Sequence, residues 1–303
     1  MEEEARDYPI TKNVLKWLPD RHIVDIRHYK DIFNRPGQEF LIQKQSPKLI
    51  LARRRDNFLY EGAPMCERYG HDRFYYATLM MNCLYNCAYC YLQTVYPSGN
   101  IVAFVNPEDY FTVVTDILIS GPAYISISYD ADIMAFEKNF GYVKIWSEFA
   151  RGQRSLTLEV RTKSANFSEI ADISPVDNMI LAWTVSPQSV IESYEENAPS
   201  LSARLANIKA ALHKGWNVRI CLDPILPLTG WVAETEKMIQ QLSADINIKD
   251  LYDISVNTFR MSSAQYKKLR RMRPQFPELL PGSSGDEIAI VRRILDTYGG
   301  ELI

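Results

Sequence analysis

No apolar run in the 303-residue chain reaches the about 18 residues that a membrane span requires, so no membrane partner is expected. The opening decapeptide MEEEARDYPI is acidic and lacks the apolar centre of a secretory leader. With no export signal, the expectation is a cytoplasmic protein. Low-complexity tracts and short-period repeats are absent. With 47% hydrophobic and 23% charged residues, wholesale disorder is not expected. Charge of one sign is also scarce: the net value is −3, too small to draw the chain to nucleic acid as a whole. Cysteine is limited to five residues, three of them clustered, which argues against a disulfide framework and for metal or redox chemistry.

Two local basic clusters interrupt this balance, Arg53 to Arg55 and the run YKKLRRMR over 266–273. A solvated helix face is the plain reading of the second. From about residue 74, apolar runs alternate with amphipathic stretches. FYYATLMM (74–81), AYISISY (123–129), SLTLEVRT (155–162), NMILAWTV (178–185), WNVRICLDPI from 216 and LYDISVNTF (251–259) read as six strands. YFTVVTDILISG, MAFEKNFGYVKIWSEFARG, SLSARLANIKAALHKG and WVAETEKMIQQLSA read as helices, and FSEIADIS as a short one. This alternation predicts an α/β fold with a parallel sheet of βαβ units and a ligand site at the C-terminal strand ends. Residues 1–73 fit the alternation poorly and are expected to form an N-terminal extension or cap, with KLILARRR as an edge strand. Residues 74–303 then form the main domain, ending in the amphipathic helix DEIAIVRRILDTYGG.

The stretch MNCLYNCAYCYLQT carries Cys83, Cys87 and Cys90 directly after the first of these strands. A closed structural zinc site takes four protein ligands. Cys66, Cys221 and His71 are each available as a fourth, but none sits in a second ligand pair. A binding module built on a three-cysteine structural metal therefore remains a competing reading. An iron–sulfur cluster uses the same thiolates, and an iron left without a protein ligand becomes a position for a small molecule.

C-x3-C-x2-C on the loop after the first strand resembles the signature of the radical S-adenosylmethionine superfamily. Its continuation YCYLQT (89–94) resembles the spore photoproduct lyase family, as do AFVNPEDYF (103–111), SYDADI (128–133), VRTKS (160–164), ARL (203–205) and DPILPLTGW (223–231). The resemblance implies a partial (β/α)6 TIM-type barrel. It also implies a [4Fe–4S] cluster on Cys83, Cys87 and Cys90 whose open iron takes S-adenosyl-L-methionine, and a 5′-deoxyadenosyl radical that starts reversal of the ultraviolet-induced thymine dimer in DNA. A reductant such as flavodoxin or ferredoxin is implied as well. By residue, the resemblance places Tyr89 against the adenine, Lys163 and Thr184 on the cofactor, and Asp132 at the family aspartate. Asp132 reads equally well as a helix N-cap. Tyr91 reads as a substrate-side aromatic or as rim packing.

The chain departs from the family at two places. Tyr129 stands where the family carries its hydrogen-donor cysteine, so Cys66, in the loop-like EGAPMCERYG, is the substitute donor, with Tyr91 or Tyr129 relaying the hydrogen atom. Cys221, inside an apolar strand, reads as a buried small hydrophobe. The C-terminal tail lacks the family's basic, aromatic hairpin, leaving only Arg53 to Arg55 and 266–273 as replacements. A radical enzyme of the same scaffold acting on another substrate is the alternative.

Overall fold

The computed structural model describes residues 1–18, 21–62, 68–277, 279 and 284–299. The chain divides into two compact units. Met1–Leu84 and Leu92–Val160 form the first, Tyr85–Tyr91 and Arg161–Ile303 the second.

In the first unit, strands Phe74–Ala77, Ala123–Ser126 and Leu156–Thr162 run parallel, Tyr75 level with Ile125 and Ile125 with Leu158. The last two residues of Leu156–Thr162 belong to the second unit. Buried aliphatic side chains line these strands: Ile125 and Leu158 are fully covered, and each such burial contributes about 1.5–3 kcal/mol. Leu59–Glu61 adds an antiparallel edge to Phe74–Ala77.

Three sequence expectations are modified here. FYYATLMM does not make one strand: it breaks after Ala77, and Met80–Met81 pairs antiparallel with Ile101–Phe104 in a separate small sheet. Leu49–Ala52 pairs parallel with the other side of Ile101–Phe104, so KLILARRR is an edge strand, but of this small sheet. MAFEKNFGYVKIWSEFARG is broken as well. Helices Glu137–Phe140 and Tyr142–Arg151 meet at Gly141, whose φ of +67° favours glycine.

The second unit holds the parallel strands Met179–Thr184, Asn217–Ile225 and Asp253–Thr258, with Asn217–Ile225 in the middle. Between them run helices Leu201–Lys214 and Trp231–Asp245. Ser200 caps the first of these helices by accepting from the Ala203 N–H at 3.3 Å, and Gly215 closes it at φ +93°. Leu201, Leu205, Ile208 and Ala211 form its buried stripe, at the spacing of a 3.6-residue period. Cys221 is fully buried in Asn217–Ile225, as the apolar pattern implies. Ser284–Thr297 forms the expected C-terminal helix. Among the described residues, no helix is long and apolar enough to cross a membrane.

Candidate functional site

The cysteine loop is fixed at its entrance by local geometry. Asn82 takes φ +68°, a left-handed conformation that Asn tolerates better than most residues. Its side-chain amide donates to the carbonyls of Ser98 (2.7 Å) and Asn100 (2.6 Å). The Lys44 ammonium donates to the Cys83 carbonyl. At the far side of the turn, Gln43 Oε1 accepts from Ser98 Oγ and the Gly99 N–H, both at 2.8 Å.

Cys87 and Cys90 lie on the segment that belongs to the second unit. Asn86–Cys87 pairs antiparallel with Glu195–Glu196, and the Ala88 N–H donates to the Tyr194 carbonyl at 2.7 Å. The Cys90 N–H closes a turn onto the Cys87 carbonyl at 3.1 Å. Arg273 donates to Asn86 Oδ1 at 2.5 Å, and the Asn86 amide donates to Glu196 at 2.5 Å. Burial pulls the Arg273 pKa down. The charges of Glu196, Cys87 and Cys90 oppose that shift, which puts a guanidinium in the field of the two cysteines.

Tyr89 is buried between the two cysteines of this segment. Its hydroxyl donates to Glu195 Oε1, which also accepts from Ser186 Oγ at 2.9 Å. The other carboxylate oxygen accepts from Arg204. Arg204 in turn donates to the Thr184 carbonyl at 3.1 Å and the Pro199 carbonyl at 3.0 Å. Burial alone would raise the Glu195 pKa. Lys163, Arg204 and the hydrogen bonds from Tyr89 and Arg204 outweigh it and hold the carboxyl below its ordinary range. The Tyr89 phenol is pushed well up, first by burial and then by the Glu195 charge. Lys163 lies directly after Leu156–Thr162, with Nζ 5.8 Å from the Tyr89 ring centre. The structure thus joins three of the four expected cofactor-side residues, Tyr89, Lys163 and Thr184, through Glu195 and Arg204.

Asp132 belongs to the first unit. Its Oδ1 accepts from the Ala135 N–H at 3.2 Å, as an N-cap does. In the first unit, Tyr129 stacks on Tyr76 with ring centres 4.2 Å apart, and Tyr76 stacks on Tyr60 at 5.2 Å. The Tyr60 hydroxyl accepts from Arg54 at 2.6 Å. Tyr91 is half-buried in the cysteine segment. Cys66 lies outside the described residues.

Sequence reading missed Glu195 and Ser186, and Arg273 entered only as the last residue of the basic run 266–273. Arg204 entered only as part of the ARL likeness. Its signal was present nonetheless, a charged residue on the apolar stripe between Leu201 and Leu205, where burial without a partner is untenable. The Arg53–Arg55 cluster, expected as a possible nucleic-acid contact, makes ion pairs within the first unit. Arg53 pairs with Glu4 and Asp109, and Arg55 with Glu2 and Glu4. Arg54 is 6% exposed and donates to Asp56 O and Asn57 O as well as to Tyr60.

Cys83, Cys87, Cys90 and Cys221 are all outside disulfides. Among the described residues, no three His, Cys, Asp or Glu side chains are gathered as they stand into a group that holds a metal ion. The donor set itself suits an iron–sulfur cluster: three thiols within eight residues, and a guanidinium acting on two of them.

The sequence matches the spore photoproduct lyase family over residues 1–275. It is 23% identical over 276 residues to the spore photoproduct lyase of Geobacillus sp. (strain Y412MC61), spanning 88% of this chain and 78% of that one. The fold matches a spore photoproduct lyase double mutant solved with bound AdoMet and dinucleoside spore photoproduct, at TM-score 0.86 and 19% identity, over 98% of this chain and 94% of that chain. It also matches a spore photoproduct lyase complexed with dinucleoside spore photoproduct, at TM-score 0.85 and 18% identity, with the same coverage.

Proposed function

This chain belongs to the spore photoproduct lyase family of radical S-adenosylmethionine enzymes, and from that premise we propose that Cys83, Cys87 and Cys90 hold its [4Fe–4S] cluster for repair of the thymine dimer in DNA. When bound, the cluster and S-adenosyl-L-methionine would supply the radical chemistry for hydrogen-atom abstraction from the substrate.

This chain's residues orient and enclose the reacting groups. The observation that carries the reading is the buried network of Tyr89, Glu195, Arg204 and Thr184 beside the cysteine segment. Tyr89 cannot rotate without abandoning a buried carboxylate. Its ring is thereby fixed to present one face to a planar group such as an adenine. The Lys163 ammonium, above the same ring, supplies a cation for a carboxylate or ribose oxygen. Thr184 is buried at the end of its strand, and Asp132 caps the turn at Ile133–Phe136.

Hydrogen return falls to the Cys66 thiol. Its S–H bond breaks as the product C–H bond forms, the phenol O–H of Tyr91 or Tyr129 restores the thiol, and the tyrosyl radical so formed takes one electron from the reductant and one proton from water. The decisive experiment is anaerobic turnover of dinucleoside spore photoproduct with AdoMet and a reductant. Release of thymidine together with 5′-deoxyadenosine is expected. Cys66→Ala should lower the thymidine yield per 5′-deoxyadenosine, and Cys83→Ala should abolish both products together with the charge-transfer absorption of the cluster.

One observation favours a second reading. Tyr129 occupies the family's thiol position as part of a stacked tyrosine column. Sustained 5′-deoxyadenosine release without thymidine from the wild-type protein would assign the same radical chemistry to another substrate.

A further inference from the structure

Phe259–Phe276 contains six of the chain's 34 basic residues and none of its 37 acidic ones. Its helix, Ser263–Met272, sorts those residues by face. Leu269 is fully buried beneath it. Tyr266 packs against Phe259 with ring centres 6.1 Å apart, and the fully buried Phe276 lies 5.6 Å from Tyr194. Lys267, Lys268 and Arg271 are exposed and Arg270 half-exposed. Lys267 and Arg271 sit one turn apart on the same face, where the Arg271 Nε–H donates to the Lys267 carbonyl at 3.3 Å.

The next basic residue, Arg273, turns inward and fastens this element to the cysteine loop through Asn86. The helix C-cap, an Arg273 N–H bond to the Leu269 carbonyl at 2.8 Å, joins the exposed cations to that anchor within a few residues. The basic residues at 53–55 pair with Glu2, Glu4, Asp109 and Tyr60.

We infer that the outward face of Ser263–Met272 binds the phosphate backbone of double-stranded DNA, and that Arg273 and Asn86 set the register of that backbone against the cysteine loop. The inference rests on the damaged-DNA reading and adds to it the element that grips the duplex. Charge complementarity carries the choice of partner, because phosphate contacts position a duplex without reading its sequence. An anionic membrane fits less well. Among the described residues of the helix no large apolar side chain is exposed to enter lipid, as an interfacial helix requires.

The test compares wild type with the triple variant Lys267→Ala/Lys268→Ala/Arg271→Ala. Binding of a fluorescein-labelled 16-base-pair duplex is followed by anisotropy from 50 to 200 mM KCl. Three phosphate contacts correspond to a loss of about 2.7 in the slope of log K against log salt. Affinity at 50 mM should fall at least tenfold. The charge-preserving double variant Lys267→Arg/Lys268→Arg should bind as wild type does, which separates charge from folding. Turnover of dinucleoside spore photoproduct, which has no phosphate backbone to grip, should be unchanged in the triple variant, while repair of the lesion in a duplex collapses. Unchanged affinity and slope in the triple variant would overturn the inference, as would capture by phosphatidylserine vesicles in place of the duplex. Duplex binding needs no turnover. A protein that grips DNA through this helix but releases no thymidine therefore contradicts the repair reading and leaves this one standing.

Discussion

At Glu195 a carboxylate with 2% of its surface exposed is held by three donors, and each donor answers to a different part of the second unit. Removing that carboxylate strands Arg204, which has no exposed surface. Glu195→Ala should therefore cost about 3–5 kcal/mol in urea unfolding, the range for breaking one side of a buried pair. Tyr89→Phe leaves Arg204 and Ser186 in place and should cost only about 1–2 kcal/mol. Equal losses for the two variants would mean that Tyr89, not Arg204, is the main partner. Glu287 presents the opposite case, since burial first and Asp286 second raise its pKa. A carboxyl raised in the folded state contributes stability below its unfolded pKa of about 4.3 and loses it as pH rises through the raised value. At pH 7 the ionised group opposes folding, so Glu287→Gln should raise the melting temperature. Thermal melts should show that gain at pH 7 and lose it near pH 4. A gain of the same size at both values would rule out titration as the cause.

The elements were legible where a periodic apolar pattern met a capping residue. Ser200 and Gly215 bracket Leu201–Lys214 within a residue of the sequence reading, and Met179–Thr184 and Leu156–Thr162 announce themselves as apolar runs. The failures have physical causes. FYYATLMM is continuous in β propensity, but Thr78 and Leu79 leave one sheet for another: the Leu79 carbonyl accepts from Phe104 and the Thr78 carbonyl from Tyr110. Long-range partners of that kind leave no local trace. Spacing singled out the cysteines, and resemblance Lys163 and Thr184, but neither pointed to Glu195, because an acidic residue in YEENAPS reads as surface until Arg204 is placed opposite it. Close packing at Gly99 was equally silent. A Cβ built there would meet the Phe40 carbonyl oxygen at 2.4 Å and Lys44 N at 3.0 Å, both of them backbone atoms. Gly99→Ala should therefore destabilise by about 1–3 kcal/mol. It should also disturb the Gln43 bonds that seat the end of the cysteine loop, so cluster occupancy should fall, read as iron per chain. Wild-type stability and iron content in this variant would show that the Phe40–Lys44 segment yields freely.

On the scale of the whole molecule, the chain passes between its two units three times, after Leu84, Tyr91 and Val160. The second unit is consequently discontinuous in sequence: Tyr85–Tyr91 contributes to it from far upstream of Arg161. That short segment supplies the pairing partner of Glu195–Glu196, the phenol on Glu195 and the Asn86 contact of Arg273. A fragment of residues 161–303 keeps every strand of Met179–Thr184, Asn217–Ile225 and Asp253–Thr258, and so looks complete by its apolar pattern. It lacks those three attachments, each a hydrogen-bonded contact to a charged group or a strand pair. With about 0.5–3 kcal/mol at stake in each, their loss consumes a large share of the 5–15 kcal/mol that a folded domain holds in reserve. The fragment alone should therefore show helical circular dichroism without a cooperative urea transition. Cooperative unfolding of 161–303 with the stability of the intact chain would show that the cysteine segment is an attachment to the second unit and no part of what holds it together.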